Sequence, residues 1–358
     1  MVPTPNDNSA EFAVDSPATE ARIKLLQAYF EKNVLKNGQF ICCDQQACIG
    51  SHSGAFYKGQ LPHIGTHYDM TRNGAPFRIV VVGQEYGDEC ELVDLNERRA
   101  MIESSGWRKR FRAEPGFPPR NPHMRGCTSV LRLLFGKELG RDRGGEFVQL
   151  DRTSIHLFDC FALVNFLLCS AVTPGGSKQG RSTPTMHKNC ARHFVEQLKL
   201  LEPTIIVLQG RSSVLKWMKA TFDGLSDDIV QTVQINGCTT RVLAFTHPSA
   251  HKPSNWGAND QTKYLREVVE PKVKQVLQEG DTQPGTKPEK KSSRRTEVKT
   301  TLGWKEGDPV QSVNLRCPKC GYFAQASNKM LSRGRLKCPV DGEVLATKEE
   351  RGEKKGRW

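Results

Sequence analysis

Two groups of residues in this chain have the types and spacing to do chemistry. The first is a metal-ligand pattern: Cys317 and Cys320 stand in a Cys-Pro-Lys-Cys-Gly knuckle, Cys338 follows in a second Cys-Pro turn, and Asp341 sits where a fourth cysteine is usual. That is the spacing of a zinc ribbon, and carboxylate oxygen is an accepted zinc ligand, so the segment either binds Zn2+ through a Cys3Asp set or is a ribbon without its metal. The second group is the polar residues that follow four apolar runs. They begin Gly83-Gln84-Glu85-Tyr86-Gly87, Asn165-Phe166-Leu167-Leu168-Cys169, Gly210-Arg211 and His247-Pro248-Ser249-Ala250-His251. Carboxylate, amide, guanidinium and imidazole thus recur at equivalent places, and an amide such as that of Asn165 offers a donor and an acceptor together.

The runs that carry them, 77–83, 158–166, 204–209 and 241–246, are continuous, rich in branched apolar residues and end in turn signals, the pattern of buried strands. Helical spacing appears in 16–35, where Ile23, Leu26, Phe30 and Val34 follow a Ser-Pro start, and in 128–135, 184–201, 212–222 and 260–277. This alternation predicts an α/β fold, a three-layer α/β/α sandwich on a mainly parallel four-stranded sheet. In such sheets ligands sit beyond the carboxyl ends of the strands, where the four polar strings fall. Residues 1–16 lack periodicity and are expected to be disordered, with the α/β domain covering 17–278. Residues 279–310 turn to Lys, Ser, Thr, Pro and Gly and read as a flexible linker, before the ribbon at 311–345 and a basic tail at 346–358.

Lys and Arg total 52 against 39 Asp and Glu, a formal charge of +13 in 358 residues. Residues 279–358 hold 18 basic and 11 acidic side chains, net +7, which leaves +6 on the first 278 residues. Both parts are basic, and nucleic acid heads the expected partners. Arg333, Arg335, Lys337, Lys354, Lys355 and Arg357 make the ribbon and tail either a nucleic-acid-holding appendage or a solvated basic end. The longest apolar stretch, 161–172, is short of the roughly 20 residues a membrane span needs. The polar, acidic start has no secretory pattern, so the expectation is a cytosolic monomer, associated with the nucleoid if bacterial. Twelve cysteines in that setting are read as metal ligands, redox groups or buried small side chains rather than as a disulfide framework.

The strings Asn165-Phe166-Leu167-Leu168-Cys169, Lys188-Asn189-Cys190-Ala191-Arg192-His193-Phe194, the run 202–211 and His247-Pro248-Ser249 occur in the order found in the uracil-DNA glycosylase superfamily. Over about residues 20–275 the chain resembles that superfamily, most closely its iron-sulfur branch. The resemblance implies hydrolysis of the N-glycosidic bond of uracil, or of a related deaminated base, in DNA, with the base flipped into a pocket. His247 would donate to the uracil O2 and stabilise the departing anion as a neutral imidazole, while Asn165 would read the amide edge. Glu85 would orient water and offset the positive charge of the sugar.

The first motif departs from the family. One branch has Gly-Gln-Asp-Pro-Tyr, the iron-sulfur branch Gly-Glu-Ala-Pro-Gly, and this chain Gly83-Gln84-Glu85-Tyr86-Gly87. Gln84 and Glu85 fall on the Gln and Asp of the former, the glutamate reaching roughly an ångström further, and a displacement of that size can cost about 100-fold. Tyr86, shifted by one place, would wall the pocket against a 5-methyl group, with Asp88 and Glu89 as further carboxylates. The family's stacking Phe is missing from Asn121-Pro122-His123-Met124-Arg125-Gly126, where His123, then Met124, are the substitutes. DNA contacts would come from Ser249, His251 and Lys252, with Trp256 a wedge or a packing residue and Arg211 a phosphate ligand or a cap on the sheet. The branch's cluster ligands match Cys169 and Cys190 well, and an N-terminal pair less well, because Cys43 and Cys48 have four residues between them and Cys42 is an alternative. The implied cofactor is a structural [4Fe-4S] cluster; zinc in the same cage, or free buried thiols, are the other readings. Cys90, Cys127, Cys160 and Cys238 read as core or incidental. A noncatalytic nucleic-acid-binding protein on the same fold, or a glycosylase for another modified base, are the alternative functions.

Overall fold

The computed structural model describes residues 10–85, 92–150, 153–172 and 182–281, and three short strands beyond them. The chain divides into two compact units, Met1–Thr286 and Lys287–Trp358.

The first unit is built on a six-stranded sheet. In chain order its strands are β1 (His63–Ile64), β2 (Ile79–Gly83), β3 (Ala162–Asn165), β4 (Ile205–Gln209), β5 (Val230–Ile235) and β6 (Cys238–Phe245). Across the sheet they run β5-β6-β4-β2-β3-β1, and the four central strands are mutually parallel. These four are the strands expected from sequence. The two edge strands, both antiparallel, were not expected. β1 has only two residues, and β5 alternates polar with apolar side chains because one of its faces is partly solvated. A local signal for β5 existed: Asn236 and Gly237, with φ of +50° and +78°, make the tight turn into β6 that only left-handed residues allow.

The helices are α1 (Ser16–Asn33), α2 (Gln45–Gly50), α3 (Leu95–Arg108), α4 (Pro122–Leu134), α5 (Pro184–Leu201), α6 (Val214–Lys219) and α7 (Glu270–Asp281). Successive strand side chains point to opposite faces, so each face has its own core. Val80, Val82, Val164, Ile206 and Leu208 pack with apolar residues of α1, α5 and α6. Val81, Leu163, Val207, Leu243 and Phe245 pack with α4 and α7. α3 escaped the periodicity reading because its 14 residues include five charged ones; Asp94 starts it by accepting from the N–H groups of Asn96 and Glu97.

Residues 12–14 are not disordered: Phe12–Val14 pairs with Met70–Arg72, and the Phe12 ring packs on Phe77 and Phe135. Three apolar residues with a partner 58 places away are too short a stretch to carry a periodicity. In the second unit, Ser312–Arg316 lies between Phe323–Ser327 and Ala346–Thr347 in an antiparallel sheet. Cys317, Cys320, Cys338 and Asp341, like residues 348–358 of the basic tail, lie outside the described residues. No helix among the described residues is long and apolar enough to cross a membrane.

Candidate functional site

The carboxyl ends of β2, β3, β4 and β6 deliver Gly83, Asn165, Gln209 and His247 to one edge of the sheet. Asn165 lies opposite Gly83 in the parallel register of β3 on β2. The chain continues that pairing past the strands, with Phe166 N–H donating to Gly83 O and Leu167 N–H to Gln84 O. Gly83 is the point of convergence: a Cβ there would lie 2.8 Å from Asn165 Oδ1 and 3.2 Å from His123 Cε1. A glycine is therefore required for amide and imidazole to share that place. Asn165 is 7% exposed, and its amide makes no hydrogen bond among the described residues; it is not one of the fully buried unpartnered groups, so its polar atoms stay open to water or a ligand.

His123 is held by the start of α4. Asn121 accepts from Met124 N–H through Oδ1 and Pro122 opens the first turn. Burial pushes the His123 imidazole down to about 3, with His247 and Arg98 acting the same way and the nearby Gln209 amide opposing them, so the ring is neutral. His247 faces it, ring centroids 6.2 Å apart and planes within 22°. Nδ1 of His247 accepts from the Ser249 N–H at 3.2 Å and stands 2.8 Å from Ser249 Oγ. The neutral ring thereby keeps its proton on Nε2. Desolvation lowers its affinity for a second proton. The loop bearing it is locked to α4: Gly126 lies under Pro248 and Trp256, Arg125 Nε donates to Gly257 O at 2.7 Å, and Trp256 Nε1 donates to Thr246 O at 2.7 Å.

Glu85 follows on from Gly83 and is partly buried, its Oε2 accepting from Ala171 N–H at 3.2 Å and its Oε1 from Gln84 Nε2 at 2.9 Å. Burial pushes its carboxyl up to about 7 against the pull of those two donors. Gln84 Nε2 also donates to Ser182 Oγ, which is 2.9 Å from His187 Nε2, and the His187 ring lies on Trp217. Gln84 therefore orients the carboxylate rather than facing the pocket. Ser182, His187 and Gln209 were not foreseen, because nothing in their local sequence distinguishes them from ordinary helix-start and strand residues.

The structure decides between readings left open for Trp256 and Arg211 and corrects that for Met124. Trp256 is fully buried, its ring against Phe245, and serves as the core of its loop, not a wedge. Met124 is turned into the core between α4 and the sheet instead of lining a pocket. Arg211 donates from its guanidinium to Asp227 O and from its N–H to Phe245 O, which makes it a cap on the sheet end. Ser249, His251 and Lys252 are exposed, as a contact surface requires. Tyr86, Asp88, Glu89 and Cys90 lie outside the described residues.

Among the cysteines, Cys43 is exposed and turned to Arg192, whose Nη2 donates to its Sγ at 2.9 Å while pairing with Asp44 at 2.6 Å. The cysteine that faces inward is Cys42. Burial raises the Cys169 and Cys190 thiols, the latter to about 12, and both belong with Cys48 to one core cluster against which Cys42 packs. Cys42, Cys48, Cys169 and Cys190 thus form one neighbourhood. Among the described residues, no group of three or more His, Cys, Asp or Glu is placed to hold a metal ion. Cys127 and Cys160 are fully buried core residues, and Cys238 is half-buried. No protein-family model and no curated protein sequence matches this chain.

Proposed function

We propose that the chain is a DNA glycosylase that hydrolyses the N-glycosidic bond of uracil or a related deaminated base. The observation that carries this is the placement of the Asn165 amide, free of protein partners and open to a ligand, against Gly83 beside His123 and His247. A flipped pyrimidine supplies what that amide lacks, an acceptor and a donor on one edge. His123 offers it a ring face for stacking. His247 offers Nε2–H to the base carbonyl, where negative charge grows as the C1′–N1 bond breaks; a donor already in place and neutral needs no rearrangement at that moment. Water then bonds to C1′, and its proton passes to the Glu85 carboxylate, which also opposes the positive charge of the sugar. Ser249, His251 and Lys252 meet the DNA backbone.

Cys42, Cys48, Cys169 and Cys190 suit a [4Fe-4S] cluster, whose cube keeps its four thiolates further apart than one ion would. Its part is structural, fastening 42–48 to α5 and to the segment after Asn165. The second unit binds Zn2+ through Cys317, Cys320, Cys338 and Asp341 and adds basic charge for DNA. The protein acts as a monomer inside the cell, wherever its DNA lies.

The test is incubation of intact protein with a labelled single-uracil oligonucleotide, single- and double-stranded, followed by alkali. Strand scission, lost in His247→Ala and reduced in Glu85→Gln, is the expected result. No scission, with salt-dependent binding retained, overturns uracil as substrate and transfers the reading to a noncatalytic DNA-binding protein, which the engagement of Glu85 with Ala171 N–H also suits.

A further inference from the structure

Between α3 and α4 the chain makes a hairpin whose residues the chemistry above does not use. Arg110 N–H donates to Pro118 O and Arg120 N–H to Arg110 O, while Glu114 and Phe117 exchange backbone hydrogen bonds of 3.1 and 2.9 Å. Pro115 and Gly116, the latter at φ +77°, close the tip. The base is fastened firmly. Phe111 is 1% exposed, and Arg120, wholly buried, forms a two-pronged pair with Glu146 at 2.6 and 2.8 Å.

What this rigid base presents outward is unusual for a free surface. Trp107 is 51% exposed and Phe117 37%, although large aromatics are normally covered. Arg110 lies between them, its Nη1 donating to the Trp107 main-chain O at 2.9 Å and its Cζ 3.6 Å from the Phe117 ring centroid, while the Trp107 ring rests on Phe147 and Arg143 and keeps its outer side exposed. Arg108, Lys109 and Arg112 are exposed beside them, against two acids that other arginines already pair: Glu114 by Arg110, and Asp260 by Arg141 at 2.7 Å. Arg112 reaches Asp260, 3.8 Å away, in the segment that follows the His247 loop, so the hairpin adjoins that edge of the site.

We propose that this hairpin is a binding surface for single-stranded DNA flanking the nucleotide in the pocket. Cations alone would serve any polyanion, but exposed rings beside them suit the free faces of unpaired bases, which an intact duplex keeps stacked. Trp107 and Phe117 stack on unpaired bases, and Lys109 and Arg112 take the phosphates between them. The proposal shares with the proposed function the premise that DNA is the partner, but not its chemistry.

The experiment is a fluorescence-anisotropy titration of the full chain with a labelled uracil-free strand and with its duplex, at several salt concentrations. Trp107→Ala and Phe117→Ala are expected to weaken single-strand binding by about five- to 150-fold, the equivalent of one base–aromatic stack, and to change duplex binding by less than about twofold. Trp107→Phe restores the affinity. Lys109→Ala and Arg112→Ala weaken both forms, each lowering the single-strand salt slope by about 0.7. If the Trp107 variant melts early, Phe117→Ala carries the test, because its side chain is at an exposed tip. Equal losses on strand and duplex, or no loss, overturn the proposal. Cleavage of uracil with binding to duplex alone overturns it too while leaving the glycosylase reading standing; scission that fails while the aromatic variants still lose single-strand affinity does the reverse.

Discussion

Glu85 shows most directly how a side chain's surroundings set its chemistry. Its carboxyl is raised to about 7 because burial penalises the charged form more than Gln84 and Ala171 N–H stabilise it. In its proposed role as the group that accepts a proton from water it must be ionised, so single-turnover excision should rise with pH and level off above about 7. The same rise should be absent in Glu85→Gln. Stability runs the other way. The folded state holds this proton more tightly than the unfolded chain, so the contribution of Glu85 is greatest below its ordinary value of 4.5 and is lost as pH rises through about 7. Urea midpoints across that range should fall less in Glu85→Gln than in the parent. Residue types and strand-end positions were legible for Glu85, Asn165 and His247. The proton on Nε2 of His247 was not, because it depends on which group Ser249 N–H meets.

At the scale of elements, the site depends on how closely β2, β3 and α4 approach. Gly83→Ala places a methyl 2.8 Å from Asn165 Oδ1 and 3.2 Å from His123 Cε1, so amide and ring must part. Excision should fall about ten- to 100-fold, with the fold retained by circular dichroism. The hairpin before α4 depends on another contact, Arg120 with Glu146, whose side chains are 0% and 2% exposed. Burial alone would raise the Glu146 carboxyl, but His156 and Arg120 hold it down at about 2. Glu146→Ala leaves a buried guanidinium unpaired and should cost about 3–5 kcal/mol in urea unfolding. The stabilisation from Glu146 is complete above about 4.5 and disappears as pH falls through about 2. The periodicity of α5 was readable to its ends, since Pro184 opens it and apolar residues recur every three or four places. The first two turns of α4 were missed although Asn121 and Pro122 are a local start signal, because His123, Arg125 and Gly126 interrupt the apolar spacing there.

For the whole molecule, the proposed cofactor gives a discriminating measurement. Cys42→Ser should abolish iron and the broad visible absorbance of aerobically purified protein, whereas Cys43→Ser should keep both, because Cys43 faces Arg192 and solvent. Loss of iron in both or in neither would overturn the ligand assignment. The four central strands, the helices that cover them and the polar residues at the strand ends were determined by the sequence itself, since branched apolar runs and helical spacing are local properties that need no partner. The tertiary structure alone decided that Cys42 rather than Cys43 turns inward, that Trp256 fills a loop, that Arg211 caps the sheet and that Trp107 and Phe117 stay exposed. Each depends on contacts between residues far apart in the chain, and the same side chain becomes core, ligand or surface according to what the fold brings against it.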